Sequence, residues 1–535
     1  MLRAFVQVVA RAVVAVLEAL IWVVARSRAA ENMFLAGNFG PVDETAQPLA
    51  LDVTTGNMPA ALVGTVFARN GPNPAVQPRA GYHWFDGDGM VHSVKIEAAD
   101  TVTYACHQLR TPRAVAEMTA GKPLATKIGD MQGAMGLVAL LLAKVRGVAG
   151  VTTAHGSLGT GLRAATNNTA LVYHAARFLA LVENGLPFSL GLADNAVTSQ
   201  DHFDFDGALD HEMTAHPKID AATGEMFFFG YALGGPPYAY YASVTAQGVK
   251  RPSVAIDLPR PVMIHDMAVT PSFGLILDLP LVFRPADMVT KGGIPFVFDR
   301  ACGARIGLMP RTAEPGSVPR WFDVEPCFVF HTAAAWEVDG GRVVVLVALR
   351  YPNFDLNVLG DAGDPDRLSA LSAYLYEWRL DVRTGAVTER PLLPNVPAEF
   401  PIAAPRTVGA SSPPEYVYLA RRSAESGLEF DAIVKYHLAS ERIVGVIEFG
   451  AGKCGGEAVF VPRSASGSGA PEDDGFLLTF VYDEVSETST FAVYSAADMT
   501  TIPMASVELG VRVPYGFHGL HLGLGAVSAL ANGNS

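Results

Sequence analysis

Cysteine and charge are both scarce in this chain. Its 535 residues include four cysteines, at Cys106, Cys302, Cys327 and Cys454, and none forms a C-x-x-C pair. So few thiols exclude a disulfide scaffold, argue against a cysteine-ligated zinc or iron–sulfur site, and favour a reducing, intracellular compartment. Charged residues make up 17% of the chain and its net charge is −14. No basic stripe with interleaved aromatic residues occurs, so nucleic acid is not an expected partner.

The N-terminal segment lacks an apolar run long enough to span a bilayer. Four polar residues interrupt the apolar residues 1–25, and they are Arg3, Gln7, Arg11 and Glu18. They fall on one narrow face of a helix, because successive helical residues are about 100° apart. Residues 1–30 are therefore predicted to form an amphipathic helix on a membrane surface, which would make the protein peripheral to a membrane. The alternative is a cleaved signal or transit peptide.

Long helical periodicity is also rare after the N-terminus. Hydrophobic residues make up 50% of the chain and mean hydropathy is +0.25, yet the apolar segments are short and separated by turns. Strands are predicted over residues 64–69, 341–348, 374–380 and 475–482, and turns over residues 220–224 and 381–385. Many short strands without alternating helices exclude a doubly wound sheet, and a β-propeller protects the edges of so many strands. No linker divides residues 31–535, which are predicted to form one β-propeller domain.

One apolar segment, residues 131–151, does have helical character. Lys144 and Arg146 interrupt it, so it is not interpreted as a membrane-spanning helix. We expect it to form a hydrophobic patch around a substrate entrance, within a helical or loop cap. An ordinary buried helix is the alternative.

Four histidines lie in apolar settings that look like strand ends, and they are His216, His265, His331 and His518. Imidazole ligates iron, copper or zinc when it is neutral and held in place. Successive members of this set are 49, 66 and 187 residues apart. Because propeller blades are about 40–50 residues long, the first three fit successive blades and the last fits a blade further round. The inner ends of blades converge on the central axis, so the spacing permits one all-histidine metal centre.

Three segments resemble known motifs but do not meet their chemical requirements. The histidines of residues 211–216 are one residue too far apart for an HExxH zinc site. Residues 204–207 resemble a calcium loop but lack the acidic ligands that an EF-hand requires at its other positions. Residues 450–455 match GxGxxG, yet a strand-like segment follows them, and a dinucleotide site needs a helix there.

Taken together, the settings of the four histidines resemble the carotenoid cleavage oxygenase family, and its plant-type dioxygenases in particular. The resemblance runs through most of the chain from about Gly37. Its motifs include WFDGDGMVH at residues 84–92, TAHPKI at residues 214–219, MIHDM at residues 263–267 and RVPYGFH at residues 512–518.

This resemblance implies a seven-bladed β-propeller, capped by helices and loops, with one Fe²⁺ per chain held on its axis. By position the iron ligands, and therefore the catalytic residues, correspond to His216, His265, His331 and His518. It also implies three glutamates that hydrogen-bond to ligand histidines, and they correspond to Glu183, Glu399 and Glu457. His216 is expected to lack such a partner. Carboxylates in this position orient each imidazole and raise its basicity.

The reaction implied by the resemblance is oxidative cleavage of one conjugated C=C bond of a carotenoid or apocarotenoid, with O₂ as co-substrate and two carbonyl products. Phe330 is expected to line the substrate tunnel and stabilise positive charge on the polyene, and Thr169 to face the iron. Residues 82–85 resemble the 9,10(9′,10′)-cleaving members, whereas residues 103–106 resemble the 9-cis-epoxycarotenoid members, which cleave at 11,12. Cleavage at 9,10(9′,10′) is the favoured prediction. The alternatives are epoxycarotenoid cleavage, stilbene-type alkene cleavage, and a non-enzymatic carotenoid-binding propeller. Plastid and cytoplasm both remain open as locations.

Overall fold

Segments that the sequence predicts as strands form strands with closely similar bounds. The observed strands are Val66–Asn73, Val343–Tyr351, Tyr374–Asp381 and Gly475–Asp483. Both predicted turns also connect antiparallel strands. Gly224 and Gly385 lie in them with φ angles of +69° and +81°, a region that glycine enters without steric cost. Local sequence therefore determines where these strands begin and end.

The structure is a computed structural model, and it describes residues 32–78, 81–149, 161–360, 367, 371–423, 428–464 and 469–532. The predicted N-terminal helix over residues 1–30 lies outside these described residues. Within them, the main sheets are antiparallel blades arranged as a seven-bladed β-propeller. The predicted fold class is therefore confirmed.

We number the blades in chain order and give the strands of each in their order across the sheet. Blade 1 contains Leu49–Asp52, Thr101–Gln108, Asp88–Ile96, Val66–Asn73 and Gly519–Leu522. Blade 2 contains Ala170–His174, Arg177–Leu181, Phe188–Ala193 and Ala196–His202. Blade 3 contains Lys218–Ile219, Met226–Tyr231, Ala239–Val244 and Val254–Ile256. Blade 4 contains Ala268–Val269, Phe273–Asp278, Ala304–Pro310 and Arg320–Val324.

The remaining three blades follow the same antiparallel pattern. Blade 5 contains Phe328–Val338, Val343–Tyr351, Tyr374–Asp381 and Val387–Leu393. Blade 6 contains Ala398–Ile402, Tyr416–Arg422, Phe430–His437 and Arg442–Glu448. Blade 7 contains Thr55–Gly56, Ala505–Glu508, Thr488–Ser495, Gly475–Asp483 and Lys453–Cys454, and Val459–Pro462 also pairs with Gly475–Asp483. A separate hairpin inserts into blade 4. Its strands are Leu281–Phe283 and Phe296–Phe298, and Val297 lies at the centre of the second strand.

Strands from the two ends of the described chain close the ring. The late strand Gly519–Leu522 pairs with Val66–Asn73 in blade 1, and the early strand Thr55–Gly56 pairs with Ala505–Glu508 in blade 7. Both closures join segments far apart in sequence, so the first and last blades depend on each other. This closure also places residue 518, which immediately precedes Gly519, at the inner end of blade 1.

Packing of blade against blade explains the apolar composition. Residues 344–349, in the strand Val343–Tyr351, are all apolar and have 0% exposure. A strand that is covered on both faces has no polar face, so its sequence is a continuous apolar run with no alternation.

Helices contribute little to the described fold, and four α-helices are present there. They are Pro112–Ala120, Gly133–Ala149, Asp287–Lys291 and Leu524–Ala531. The first begins where the Thr111 side chain accepts a hydrogen bond from the Ala114 N–H, with Pro112 at its first position. It ends at Gly121, which adopts the left-handed conformation. None of the described helices has both the length and the apolar composition that crossing a membrane requires.

Candidate metal centre

The four candidate histidines meet at the hub of the propeller. His216 precedes blade 3, His265 precedes blade 4, His331 lies in the first strand of blade 5, and His518 precedes the last strand of blade 1. The first three thus come from successive blades and the fourth from further round the ring, in the order that their spacing predicts. A coordinating atom from each lies within 4.8 Å of those of the other three.

The Nε2 atoms of these histidines face one another at short range. The Nε2–Nε2 distances are 3.0 Å for His216 and His265, 3.3 Å for His265 and His331, and 3.2 Å for His331 and His518. Imidazole nitrogens about 2.0–2.1 Å from a shared ion, the zinc value, are about 2.8–3.4 Å apart when their angles lie between about 90° and about 109°. The observed spacing and the all-nitrogen donor set therefore fit one transition-metal ion.

The setting of His216 and His331 favours the neutral ring, which metal ligation requires. Burial lowers the pKa of His216 well below its usual 6.5, and the neighbouring histidines lower it further. Burial also lowers the pKa of His331, although Glu399 opposes that effect. A neutral imidazole with one N–H leaves the other ring nitrogen free to donate a lone pair.

The three candidate glutamates contact the opposite sides of three of these rings. The Nδ1 of His331 is 2.5 Å from Oε2 of Glu399, and the Nδ1 of His518 is 2.8 Å from Oε1 of Glu457. The Nδ1 of His265 contacts Oε1 of Glu183. The hydrogen bonds of His331 and His518 favour a ring proton on Nδ1 and leave Nε2 facing the hub.

His216 differs from the other three, because no carboxylate among the described residues pairs with its ring. Its backbone N–H donates to Oγ1 of Thr214 at 3.0 Å, and that hydroxyl lies 3.3 Å from the carbonyl oxygen of His265. Backbone and packing therefore hold His216 in place. The nearby Lys218 is paired with Asp266, with 2.8 Å between Nζ and Oδ1.

Burial would raise the pKa of Glu399, but His331 and other donors outweigh it and hold the pKa below the usual 4.5. One of those donors is the Phe400 N–H, 3.0 Å from Oε2. Phe400 has a φ of +51°, which is costly for a bulky side chain. Its ring lies 5.4 Å from that of His331 and 5.3 Å from that of His518, between centroids. The strained residue therefore both binds the carboxylate and packs against two histidines.

A cavity of about 520 Å³ adjoins the hub, and His265, His331 and His518 are among its lining residues. Most of its wall is apolar and aromatic, including Trp84, Phe85, Phe296, Phe330 and Phe517. A cavity of this kind favours an apolar ligand.

Both residues expected to line the tunnel are in the wall of this cavity. The Phe330 ring is 4.7 Å from the His265 ring and nearly perpendicular to it, at 81°. The Thr169 hydroxyl donates to Oδ1 of Asn168 at 2.9 Å, and the Thr169 carbonyl accepts the His518 N–H at 3.2 Å. Thr169 therefore contacts the backbone of a candidate ligand.

The segment expected at the substrate entrance contributes to the same cavity. Met131 and Leu140 line it, and the helix Gly133–Ala149 accounts for most of the predicted segment. Leu141 on this helix is 57% exposed, and Val289 on the neighbouring helix Asp287–Lys291 is 55% exposed. Apolar side chains therefore lie both in the cavity and on the outer surface near it.

A second buried polar group borders the cavity, and we call it the ion-pair cluster. It consists of Asp88, Arg113, Glu117 and Lys127, with N–O distances of 3.4–4.0 Å. Arg113 and Lys127 line the cavity. The local sequence does not indicate this cluster, because a carboxylate in a DGDG segment has no local signal for its distant cationic partners.

A further set of ligand-type atoms lies on blade 7 and blade 6, at Glu429, Cys454 and Glu484. Burial raises the pKa of the Cys454 thiol to about 12. A protonated thiol is a poor metal ligand. The hub therefore remains the stronger candidate site.

A family model and several known proteins match most of this chain. A family model described as retinal pigment epithelial membrane protein matches residues 39–523. The carotenoid 9,10(9′,10′)-cleavage dioxygenase of Crocus sativus is 38% identical over 498 residues, which cover 91% of this chain and 88% of that protein. A 9-cis-epoxycarotenoid dioxygenase of Arabidopsis thaliana, named chloroplastic, is 35% identical over 490 residues, which cover 91% of this chain and 80% of that protein.

Solved structures share the fold. The cobalt-substituted Synechocystis apocarotenoid oxygenase is 25% identical, with a TM-score of 0.72, and the match covers 90% of this chain and 97% of that one. The lignostilbene dioxygenase of Pseudomonas brassicacearum is 24% identical, with a TM-score of 0.76, and the match covers 92% of this chain and 98% of that one. At that identity the second match speaks for the fold alone.

Proposed function

Because the chain belongs to the carotenoid oxygenase family, we propose that it is an iron(II) dioxygenase. Its reaction is the cleavage of a conjugated C=C bond of a carotenoid or apocarotenoid. The expected products are two carbonyl compounds, with cleavage at 9,10(9′,10′). One observation carries the proposal: four imidazole Nε2 atoms converge at the edge of an apolar cavity. The name of the Crocus sativus relative supports the choice of bond.

His216, His265, His331 and His518 would hold the iron, and Glu183, Glu399 and Glu457 would orient three of them. A ferrous ion in this centre supplies the electrons that activate O₂ toward an alkene, and neutral imidazoles leave its positive charge intact. The carboxylates keep a proton on each Nδ1, so that each Nε2 stays available to the metal. The protein's own task is then to present one double bond of the substrate and to exclude water.

In this proposal the cavity wall excludes water from the centre. Phe330 and the other aromatic residues provide a dry surface along which a polyene can lie. The aromatic face of Phe330 would stabilise positive charge that develops on the polyene during cleavage. Thr169 lines the cavity and contacts the His518 backbone, where it would limit the ways in which substrate approaches the centre.

A product assay tests this function. Iron-loaded protein is incubated separately with β-carotene, lutein, a 9-cis-epoxycarotenoid, an apocarotenal and resveratrol, and products are identified by chromatography and mass. We expect carbonyl products from scission at 9,10(9′,10′) of a carotenoid or apocarotenoid. Cleavage of the epoxycarotenoid at 11,12, or of resveratrol alone, would replace the substrate assignment. Binding of carotenoid without any cleavage by iron-loaded protein would identify a binding protein.

We also propose that the protein works at a membrane surface, in a plastid. The chloroplastic name of one relative supports the compartment. Exposed Leu141 and Val289 near the cavity support the membrane contact, and residues 1–30 are proposed as an amphipathic anchor. Deletion of residues 2–26 should shift the protein from the membrane to the soluble fraction with its cleavage activity intact. An unchanged distribution would reject residues 1–30 as the anchor.

A further inference from the structure

Two buried tyrosines extend the hydrogen-bond chains that begin at the hub. The Tyr351 hydroxyl donates to Oε1 of Glu399 at 2.6 Å, while Oε2 of the same carboxylate binds His331. The Tyr231 hydroxyl donates to Oε2 of Glu183 at 2.7 Å. We propose that Tyr231 and Tyr351 are positioning residues of the metal centre, which act through these two glutamates. This inference rests on the proposed function, in which the four histidines hold a metal ion.

The two tyrosines occupy the same place in different blades. Tyr231 is the last residue of the second strand of blade 3, and Tyr351 is the last residue of the second strand of blade 5. Both are buried, at 9% and 4% exposure, and both line the cavity. Two blades have therefore placed the same donor at the same position beside a glutamate that binds a histidine.

The third glutamate also has a second donor. Oε1 of Glu457 binds His518, and its Oε2 accepts the backbone N–H of Gly519 at 2.7 Å. Each of the three carboxylates thus uses one oxygen for a histidine and the other for a separate donor. The tyrosines supply from side chains what Gly519 supplies from the backbone.

The second donor has a clear physical effect. A carboxylate rotates easily about its last bond, so one contact to imidazole leaves its plane free, and a donor on the other oxygen stops that rotation. The phenol also withdraws charge from the carboxylate, which reduces its tendency to take the Nδ1 proton. The ring then keeps its N–H toward the glutamate and its lone pair toward the hub.

Both phenols keep their own protons in this setting. Burial raises the pKa of Tyr231 and of Tyr351 well above 10, and the adjacent carboxylate raises each further. Each hydroxyl is therefore a donor, and the direction of both hydrogen bonds is determined.

The test removes the two hydroxyls and keeps the rings, in Tyr231→Phe and Tyr351→Phe. The control is Tyr418→Phe, another buried tyrosine, whose hydroxyl donates to the Ala496 carbonyl at 3.3 Å and which lies outside the cavity wall. Metal-free protein is titrated with Co²⁺, and the visible absorption of bound cobalt reports both affinity and ligand geometry. Circular dichroism verifies that each variant is folded, and kcat and KM are measured on the iron-loaded forms.

We expect each of the two variants to bind Co²⁺ about three- to tenfold more weakly and to shift its visible bands, with kcat reduced more than KM. The control should match the wild type in Co²⁺ affinity, in the positions of the visible bands, and in kcat and KM. A Glu399→Gln variant serves as reference, with an expected loss of about 10–100-fold in affinity. This inference would be overturned if both tyrosine variants matched the wild type in Co²⁺ affinity and spectra while Glu399→Gln bound Co²⁺ more weakly. That result would leave the proposed function standing. Unchanged cobalt binding in Glu399→Gln as well would overturn this inference and also remove Glu399 from the residues that orient the histidines.

Discussion

Two buried polar clusters border one cavity, and their compositions are opposite. The hub gathers four imidazoles whose Nε2 atoms lie 3.0–3.3 Å apart between neighbours. The ion-pair cluster combines two carboxylates, Asp88 and Glu117, with two cations, Arg113 and Lys127. The hub joins residues from four blades, whereas the ion-pair cluster joins blade 1 to the helix Pro112–Ala120 and the segment after it.

This difference separates a cluster whose donor atoms fit a bound cation from one whose charges balance internally. Imidazole nitrogens that converge at this range match the donor set of a transition-metal ion, which would stabilise them. Charges of the ion-pair cluster balance within the cluster, and removal of one member leaves another buried without compensation. Burial of polar groups alone therefore does not identify a metal site; the arrangement of lone pairs does.

The largest expected effect is at the hub. His265→Ala should abolish metal binding and cleavage, because it removes one of the four proposed ligands and leaves Glu183 without its imidazole. His174→Ala is the matched control: this buried histidine binds the Gly224 carbonyl at 2.9 Å and lies outside the hub. Metal content by mass spectrometry and product formation are the measurements. Full metal occupancy and turnover in His265→Ala would contradict the assignment of His265 as a ligand.

The ion-pair cluster should respond in stability and not in metal content. Lys127→Met should lower the free energy of unfolding by about 3–5 kcal/mol, because it leaves buried carboxylates under-compensated. Lys291→Met is the control; Lys291 is mostly exposed and pairs with Asp287 at 3.0 Å, so its loss should cost about 0–1 kcal/mol. Urea unfolding measures both. If Lys127→Met lost metal but no stability, the two clusters would not have the separate roles inferred here.

The smallest expected effect is a pH dependence beside the ion-pair cluster. Burial and the nearby Asp86 raise the pKa of Asp130 from 3.8 to about 7. The folded chain then binds this proton more tightly than the unfolded chain does, so the contribution of Asp130 to stability is complete below about pH 4 and is lost as pH rises through about 7. Asp130→Asn imitates the protonated form and removes this dependence. Thermal unfolding of the wild type and the variant at about pH 5 and about pH 8 should show the variant gaining relative stability at the higher pH; a constant difference would contradict the shifted pKa.

Much of the fold follows from local sequence. Strands such as Val343–Tyr351 are recognisable because packing on both faces demands a continuous apolar run. Turns at Gly224 and Gly385 are recognisable because glycine permits their backbone angles. The number of blades is different: it was expected from the family resemblance, because no repeated sequence motif marks each blade.

The sequence predicted less of the candidate site than of the fold. The histidines stand out because a polar ring in an apolar setting needs a reason. Their glutamates lie 68 residues from His331 and 61 from His518, and nothing in the local sequence pairs them, so the resemblance alone indicated those positions. Tyr231 and Tyr351 were not found at all, since a tyrosine that ends an apolar strand looks like any other buried aromatic residue.

The sequence by itself determined the class of fold, the scarcity of thiols and charge, and the four histidines whose spacing suits successive blades. Only the tertiary structure decided that their Nε2 atoms face one another, which carboxylate oxygen binds which ring, and that two tyrosines complete those contacts. The physical reason is the distance along the chain between the residues that interact. Strand and turn formation depends on neighbours along the chain, whereas the hub forms when ring closure brings residues 216 to 518 onto one axis.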